Sequence, residues 1–133
     1  MTPWATYANE PPAGQLRLAS AQTTKFTTDL LNSVADMFPG NYISTGGDEI
    51  NINCYNQDLQ TQRDLNSSGK TFEQALDAFT QAEHSALRGK GKTPVVWEGW
   101  QLNYGRSAAI PDDIITEMIL THNLTLAKDT IAM

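Results

Sequence analysis

Apolar side chains recur at three- and four-residue steps along two stretches of this chain. From Ser20 to Phe38 they are Phe26, Leu30, Leu31, Val34, Met37 and Phe38. From Thr71 to Leu87 they are Phe72, Ala75, Leu76, Phe79, Ala82, Ala86 and Leu87. That spacing draws a stripe down one face of an α-helix, so both stretches are predicted to be helices packed through the stripe. Ser20 or Thr23 can cap the first helix, and Pro39-Gly40 stops it. Thr71 and Gln74 form a capping-box pattern ahead of the second, which Gly89 and Gly91 end. Between the helices the pattern shortens to strand-like runs at Asn41 to Thr45 and Thr93 to Trp97. In the second run Val95-Val96-Trp97 reads as a buried strand, and Pro94 suits its beginning. Asp58 to Leu65 is predicted as a short helix ended by Asn66-Ser67-Ser68-Gly69. Pro111-Asp112-Asp113 is expected to start another, running to Leu120, and Thr130 to Met133 to begin a further strand. Residues 1–19 contain Pro3, Pro11 and Pro12, which oppose helix, and are expected to be irregular. Strands alternating with helices indicate an α/β fold.

The chemistry concentrates where the first strand ends, at Tyr42-Ile43-Ser44-Thr45-Gly46-Gly47-Asp48-Glu49. A glycine pair admits positive φ or a close approach to a ligand. Acids directly after it occupy the place where an α/β enzyme carries its catalytic groups. Neighbouring residues on a regular strand point to opposite faces, so Asp48 and Glu49 are expected to reach one substrate from two directions with separate tasks. Glu49 suits a general acid, its pKa raised by burial and by the charge of Asp48. Asp48 would stay ionised. From these residue types alone, a turn carrying two solvated acids remains an open alternative. His84 stands one position off the second stripe, near the helix end, where a cation favours the helix dipole. No carboxylate or cysteine stands at ligand spacing from it, so it is read as structural.

Composition narrows the partners. The 133 residues, 40% apolar and 18% charged, suffice for one small core and show no bias towards disorder. A net charge of −6 argues against nucleic acid. No run approaches the roughly 18 apolar residues of a membrane span. Met1-Thr2-Pro3-Trp4 has neither a basic nor an apolar character, so it is not expected to be a secretory signal. A metal site from Asp48, Glu49 and Asp58 would offer a hard cation too few oxygens, and no metal or cofactor is expected.

Ser44-Thr45-Gly46-Gly47-Asp48-Glu49-Ile50-Asn51-Ile52-Asn53-Cys54-Tyr55 closely resembles the active-site signature of glycoside hydrolase family twenty, the β-N-acetylhexosaminidases. Val95-Val96-Trp97-Glu98 resembles that family's next barrel strand, and Glu10-Pro11-Pro12-Ala13-Gly14-Gln15-Leu16-Arg17-Leu18 its fungal branch. The resemblance runs from about Trp4 to Glu98 and resumes from about Met118 to Met133. It implies a partial (β/α)₈ TIM barrel of about two to three βα units, since a whole barrel needs roughly 250 residues. Residues 99–117 break the match and are read as an insertion or a gene-model artefact. If they are genuine, Trp100 and Tyr104 would be candidate rim aromatics.

The resemblance further implies roles. Glu49 matches the general acid/base and Asp48 the residue that holds the substrate's acetamido N–H. Trp97 matches the pocket tryptophan against the acetamido methyl, a contact that uses the large apolar face of an indole. Trp97 could equally pack inward as an ordinary barrel residue. Glu98 is a candidate for a sugar hydroxyl. The implied substrate is an oligosaccharide ending in N-acetylglucosamine or N-acetylgalactosamine. The implied parent protein is secreted or vacuolar and homodimeric, with Cys54 bridged to an upstream cysteine. Asn66-Ser67-Ser68 and Asn123-Leu124-Thr125 fit the N-glycosylation pattern. The arginine that grips the sugar hydroxyls and the tyrosine that holds the acetamido oxygen have no counterpart in these 133 residues. The chain by itself is therefore expected to be inactive or only marginally folded, and a non-catalytic carbohydrate-binding remnant is the alternative reading.

Overall fold

A computed structural model describes residues 6–9, 14–47, 50–97 and 115–117, the last three and Trp97 through their backbone only. Helix α1 (Ala21–Met37) leads into strand β1 (Tyr42–Gly46); two short helices follow, α2 (Ile52–Gln57) and α3 (Leu59–Ser68). The long helix α4 (Phe72–Gly89) then returns the chain to β2 (Thr93–Trp97), and β3 (Ile115–Glu117) completes the described elements. The three strands lie parallel in the order β1-β2-β3. A parallel neighbour requires a crossover, and α4 provides it between β1 and β2. Pairing with β3 begins at Val95, one residue beyond Pro94. Among the described residues, no helix is long and apolar enough to cross a membrane.

α4 forms as its pattern demands. Thr71 Oγ1 accepts from the Gln74 amide at 3.2 Å, and Gln74 Oε1 accepts from the Thr71 amide at 3.0 Å. Two amides that the first turn would leave bare are thereby satisfied. At the other end Gly91 adopts φ +71°, and the Lys92 amide donates back to the Leu87 carbonyl at 3.0 Å. Ala75, Leu76, Phe79 and Leu87 are buried, as the stripe predicts.

α1 begins as expected at Ser20, whose hydroxyl accepts from the Thr23 amide at 3.3 Å. Its burial departs from the prediction. The buried positions are Thr23, Thr27 and Ala35, while Phe26, Leu30, Met37 and Phe38 are exposed, and Leu31 and Val34 only half-buried. The apolar stripe of α1 is therefore not its buried face. Thr27 closes its hydroxyl on the Thr23 carbonyl at 3.0 Å and so is buried without an open donor.

One further expectation is corrected, and another is refined. The described part of the stretch before α1 is irregular, as expected, but tied to the rest of the fold. Ala8 and Leu16 form an antiparallel bridge, the Arg17 amide donates to the Tyr7 carbonyl at 2.7 Å, and Leu18 enters a core with Tyr55, Leu65, Ala75, Leu76 and Phe79. Leu16 packs against the same core. The helix expected to start at Pro111 is interrupted by β3, because Ile115 to Glu117 pair with Val95 to Trp97. Ile115 and Thr116 are both β-branched and suit a strand set beside Val95 and Val96, a preference that outweighs the helix-start signal upstream. The strand expected from Thr130 lies outside the described residues.

Candidate active site

β1 carries its final residues into an irregular turn. Pairing with β2 runs Tyr42 with Thr93, Ile43 with Pro94 and Ser44 with Val95, then slips so that Gly46 meets Val96. Thr45 is the extra residue. A bulge of this kind bends the strand and re-aims the residues after it. Gly46 and Gly47 then take φ +74° and +98°. A Cβ at Gly46 would meet nothing within 4 Å, so its backbone conformation and not crowding requires glycine there. Thr45 is secured from two sides: its hydroxyl donates to the Val95 carbonyl at 3.3 Å and lies 3.4 Å from Nε2 of His84. His84 is 1% exposed and belongs to α4 well before the helix end. A contact that the fold gives it is with Thr45.

Because the strands are parallel, the C-terminal ends of β1 and β2 lie at the same edge of the sheet. Gly46 pairs with Val96, and Trp97 is the next residue of β2. The turn leading to Asp48 and Glu49 therefore leaves the sheet beside the backbone of Trp97. Asp48, Glu49 and Glu98 lie outside the described residues, as does the side chain of Trp97.

Asp58 is paired with an arginine. Arg17 grips it with two bonds, Nε to Oδ2 at 2.9 Å and Nη2 to Oδ1 at 2.8 Å. Oδ2 also accepts from the Thr61 amide at 2.9 Å and the Thr61 hydroxyl at 2.7 Å, which caps α3. The Arg17 bonds, with help from Thr61, hold the carboxyl down to about 2. Among the described residues no cluster of three potential ligands stands together. The pair ties the segment before α1 to the junction of α2 and α3. Tyr55 adds a second tie, its hydroxyl donating to the Leu16 carbonyl at 2.7 Å.

Behind the turn is a cavity of about 230 Å³, walled by Leu18, Tyr55, Phe79 and Val96 and reached by Thr45, Gly46, Gly47 and Glu83. Glu83 is 7% exposed, and burial pushes its carboxyl up to about 8. Sequence reasoning passed over this residue. The signal was present: Glu83 stands four residues after Phe79 and four before Leu87, a carboxyl in the middle of an apolar stripe.

A sequence profile described as "Glycosyl hydrolase family 20, catalytic domain" matches residues 2–127. A "Beta-hexosaminidase" of Arthroderma benhamiae is 38% identical over 112 residues, covering 77% of this chain and 18% of that protein. A "Chitooligosaccharidolytic beta-N-acetylglucosaminidase" of Ostrinia furnacalis is 28% identical over 111 residues, covering 77% of this chain and 19% of that protein. The chain thus spans about a fifth of these relatives. The structure of an exo β-N-acetylglucosaminidase from Vibrio harveyi, in complex with N-acetylglucosamine, superposes with a TM-score of 0.66 at 21% identity, over 81% of this chain and 16% of that one. At that identity the likeness speaks for the fold.

Proposed function

The chain belongs to glycosyl hydrolase family 20, and from that membership we propose that it supplies the acid/base turn of a β-N-acetylhexosaminidase. In this reading its elements are about two to three βα units of a (β/α)₈ barrel. The substrate is a glycan or chitin oligosaccharide ending in a β-linked N-acetylhexosamine. Hydrolysis proceeds with retention and without an enzyme nucleophile. The substrate's 2-acetamido carbonyl attacks the anomeric carbon, displaces the leaving group and forms an oxazolinium ion, which water then opens. Glu49 protonates the departing glycosidic oxygen and later takes a proton from the water. Asp48 holds the acetamido N–H and steadies the positive charge of the ring that forms. Trp97 presses the acetamido group into line, and Glu98 accepts from a sugar hydroxyl. An internal carbonyl already in place lowers the barrier by several kcal/mol through proximity, which removes the need for a protein nucleophile.

The observation that carries this reading is the re-aimed Gly46–Gly47 turn at the C-terminal end of β1, beside the end of β2 that carries Trp97. In parallel α/β folds catalytic groups gather at that edge. The test is Glu49→Gln in a complete catalytic domain containing this chain. Hydrolysis of a chromogenic N-acetylglucosaminide is expected to be lost while binding of a thiazoline analogue of the oxazolinium ion is kept. Undiminished hydrolysis refutes the assignment. The 133 residues by themselves are expected to show no turnover.

A further inference from the structure

α4 meets the end of β1 at two consecutive residues. His84 approaches Thr45, and Glu83 reaches the cavity that Gly46 and Gly47 border. Glu83 is out of character for its position. An alanine or leucine would continue the stripe at no electrostatic cost, whereas a carboxyl needs polar company when buried. The cavity offers it. Its volume of about 230 Å³ leaves room for water. Thr45, Thr80, Gly46 and Gly47 border the same space.

We propose that Glu83 is a positioning residue, which holds the Gly46–Gly47 turn in place through water bound in the cavity behind it. The inference rests on the reading of Asp48 and Glu49 as the catalytic acids that this turn carries. The raised pKa of Glu83, near 8 through burial, keeps the carboxyl protonated at neutral pH, so that it both donates and accepts. Ionisation would place an unpaired negative charge under the turn and remove the donor. Among the described residues bordering the cavity, the other titratable group is the phenol of Tyr55, which is engaged with the Leu16 carbonyl. From the neighbouring segment Arg17 is engaged with Asp58, and on α4 itself His84 lies against Thr45.

Two measurements test this. In the 133-residue chain, the Glu83 carboxyl carbon and the amides of Gly46 and Gly47 are followed by NMR between about pH 5 and pH 10. The glycine amides are expected to shift with the midpoint of the carboxyl, and Glu83→Gln to abolish that shift. Amides indifferent to the carboxyl overturn the proposal. In the complete catalytic domain, Glu83→Leu is expected to lower kcat roughly tenfold or more with little change in KM. Glu83→Gln is expected to recover most of kcat and to lose the alkaline fall that accompanies Glu83 ionisation. A leucine variant with full kcat and an unchanged pH profile shows a space-filling role and overturns the proposal. If the leucine variant does not fold, the glutamine variant decides through its pH profile. Undiminished turnover by Glu49→Gln would sink the catalytic reading and leave the glycine titration as a separate result.

Discussion

α1 and α4 look alike in sequence and differ in the fold. Both are long helices with apolar residues at helical spacing and a polar cap at the start. In α4 the stripe is the buried face. In α1 Leu30 is 50% exposed and Met37 74%, and the buried face is built from Thr23, Thr27 and Ala35. Periodicity identifies a helix because it reports the 3.6-residue turn. It does not report which face meets a neighbour, since that depends on what the tertiary arrangement sets opposite. α4 contacts both β2 and α1. α1 leaves Leu30, Met37 and Phe38 exposed, while Phe26 stacks on Tyr7.

The largest expected effect breaks this contrast directly. Leu87→Ala removes a fully buried side chain from α4 and is expected to destabilise the chain by about 2–5 kcal/mol. Leu30→Ala in α1 is expected to stay within about 0.5 kcal/mol. Urea denaturation of both variants gives the comparison, and equal losses would erase it.

Next comes the carboxyl that interrupts the α4 stripe. Its pKa rises on folding from 4.5 to about 8, so the folded state holds the proton more tightly than the unfolded one between those values. Stability from this group is complete below about pH 4.5, falls as pH rises through that window and levels off above pH 8. Glu83→Gln removes the penalty and is expected to stabilise the chain at pH 7 by about 3 kcal/mol, and not at pH 4. Denaturation midpoints at both pH values check it. A pH-independent difference would mean that burial does not govern this carboxyl.

Asp58 behaves in the opposite sense. Its pKa is depressed from 3.8 to about 2, so the stability it lends is present above about pH 4 and is lost as pH falls towards 2. Allowing for solvent screening, Asp58→Asn is expected to cost about 1–2 kcal/mol at pH 7 and little near pH 2. Arg17→Met should reproduce that dependence, because the same pair is broken.

The smallest effect concerns the turn. Gly46→Ala is expected to cost about 1–2 kcal/mol, through the positive φ alone, since the space for a Cβ is open. Gly40→Ala, a glycine without positive φ and also with open space, is the control and should be near neutral.

The long helices, the strands β1 and β2 and the glycine turn were legible from local signals: caps, periodicity and glycine. Three features were not. α2 was missed because Asn51 caps it with a short Asx turn and its six residues are too few to show a period. β3 was hidden by the helix-start signal at Pro111, and its partner strand is distant in sequence. Glu83 was passed over because a single carboxyl does not disturb a stripe that is otherwise complete.

The sequence by itself determined where the chain would coil, where it would extend and where only glycine could follow, because those preferences arise within a few residues. It also carried the succession of motifs by which the family is recognised. Tertiary structure alone decided that Arg17 would close on Asp58, that Thr45 would be held from α4, and that a glutamate would face a cavity behind the turn. Each of these joins residues dozens of positions apart, and such meetings depend on how whole elements pack together.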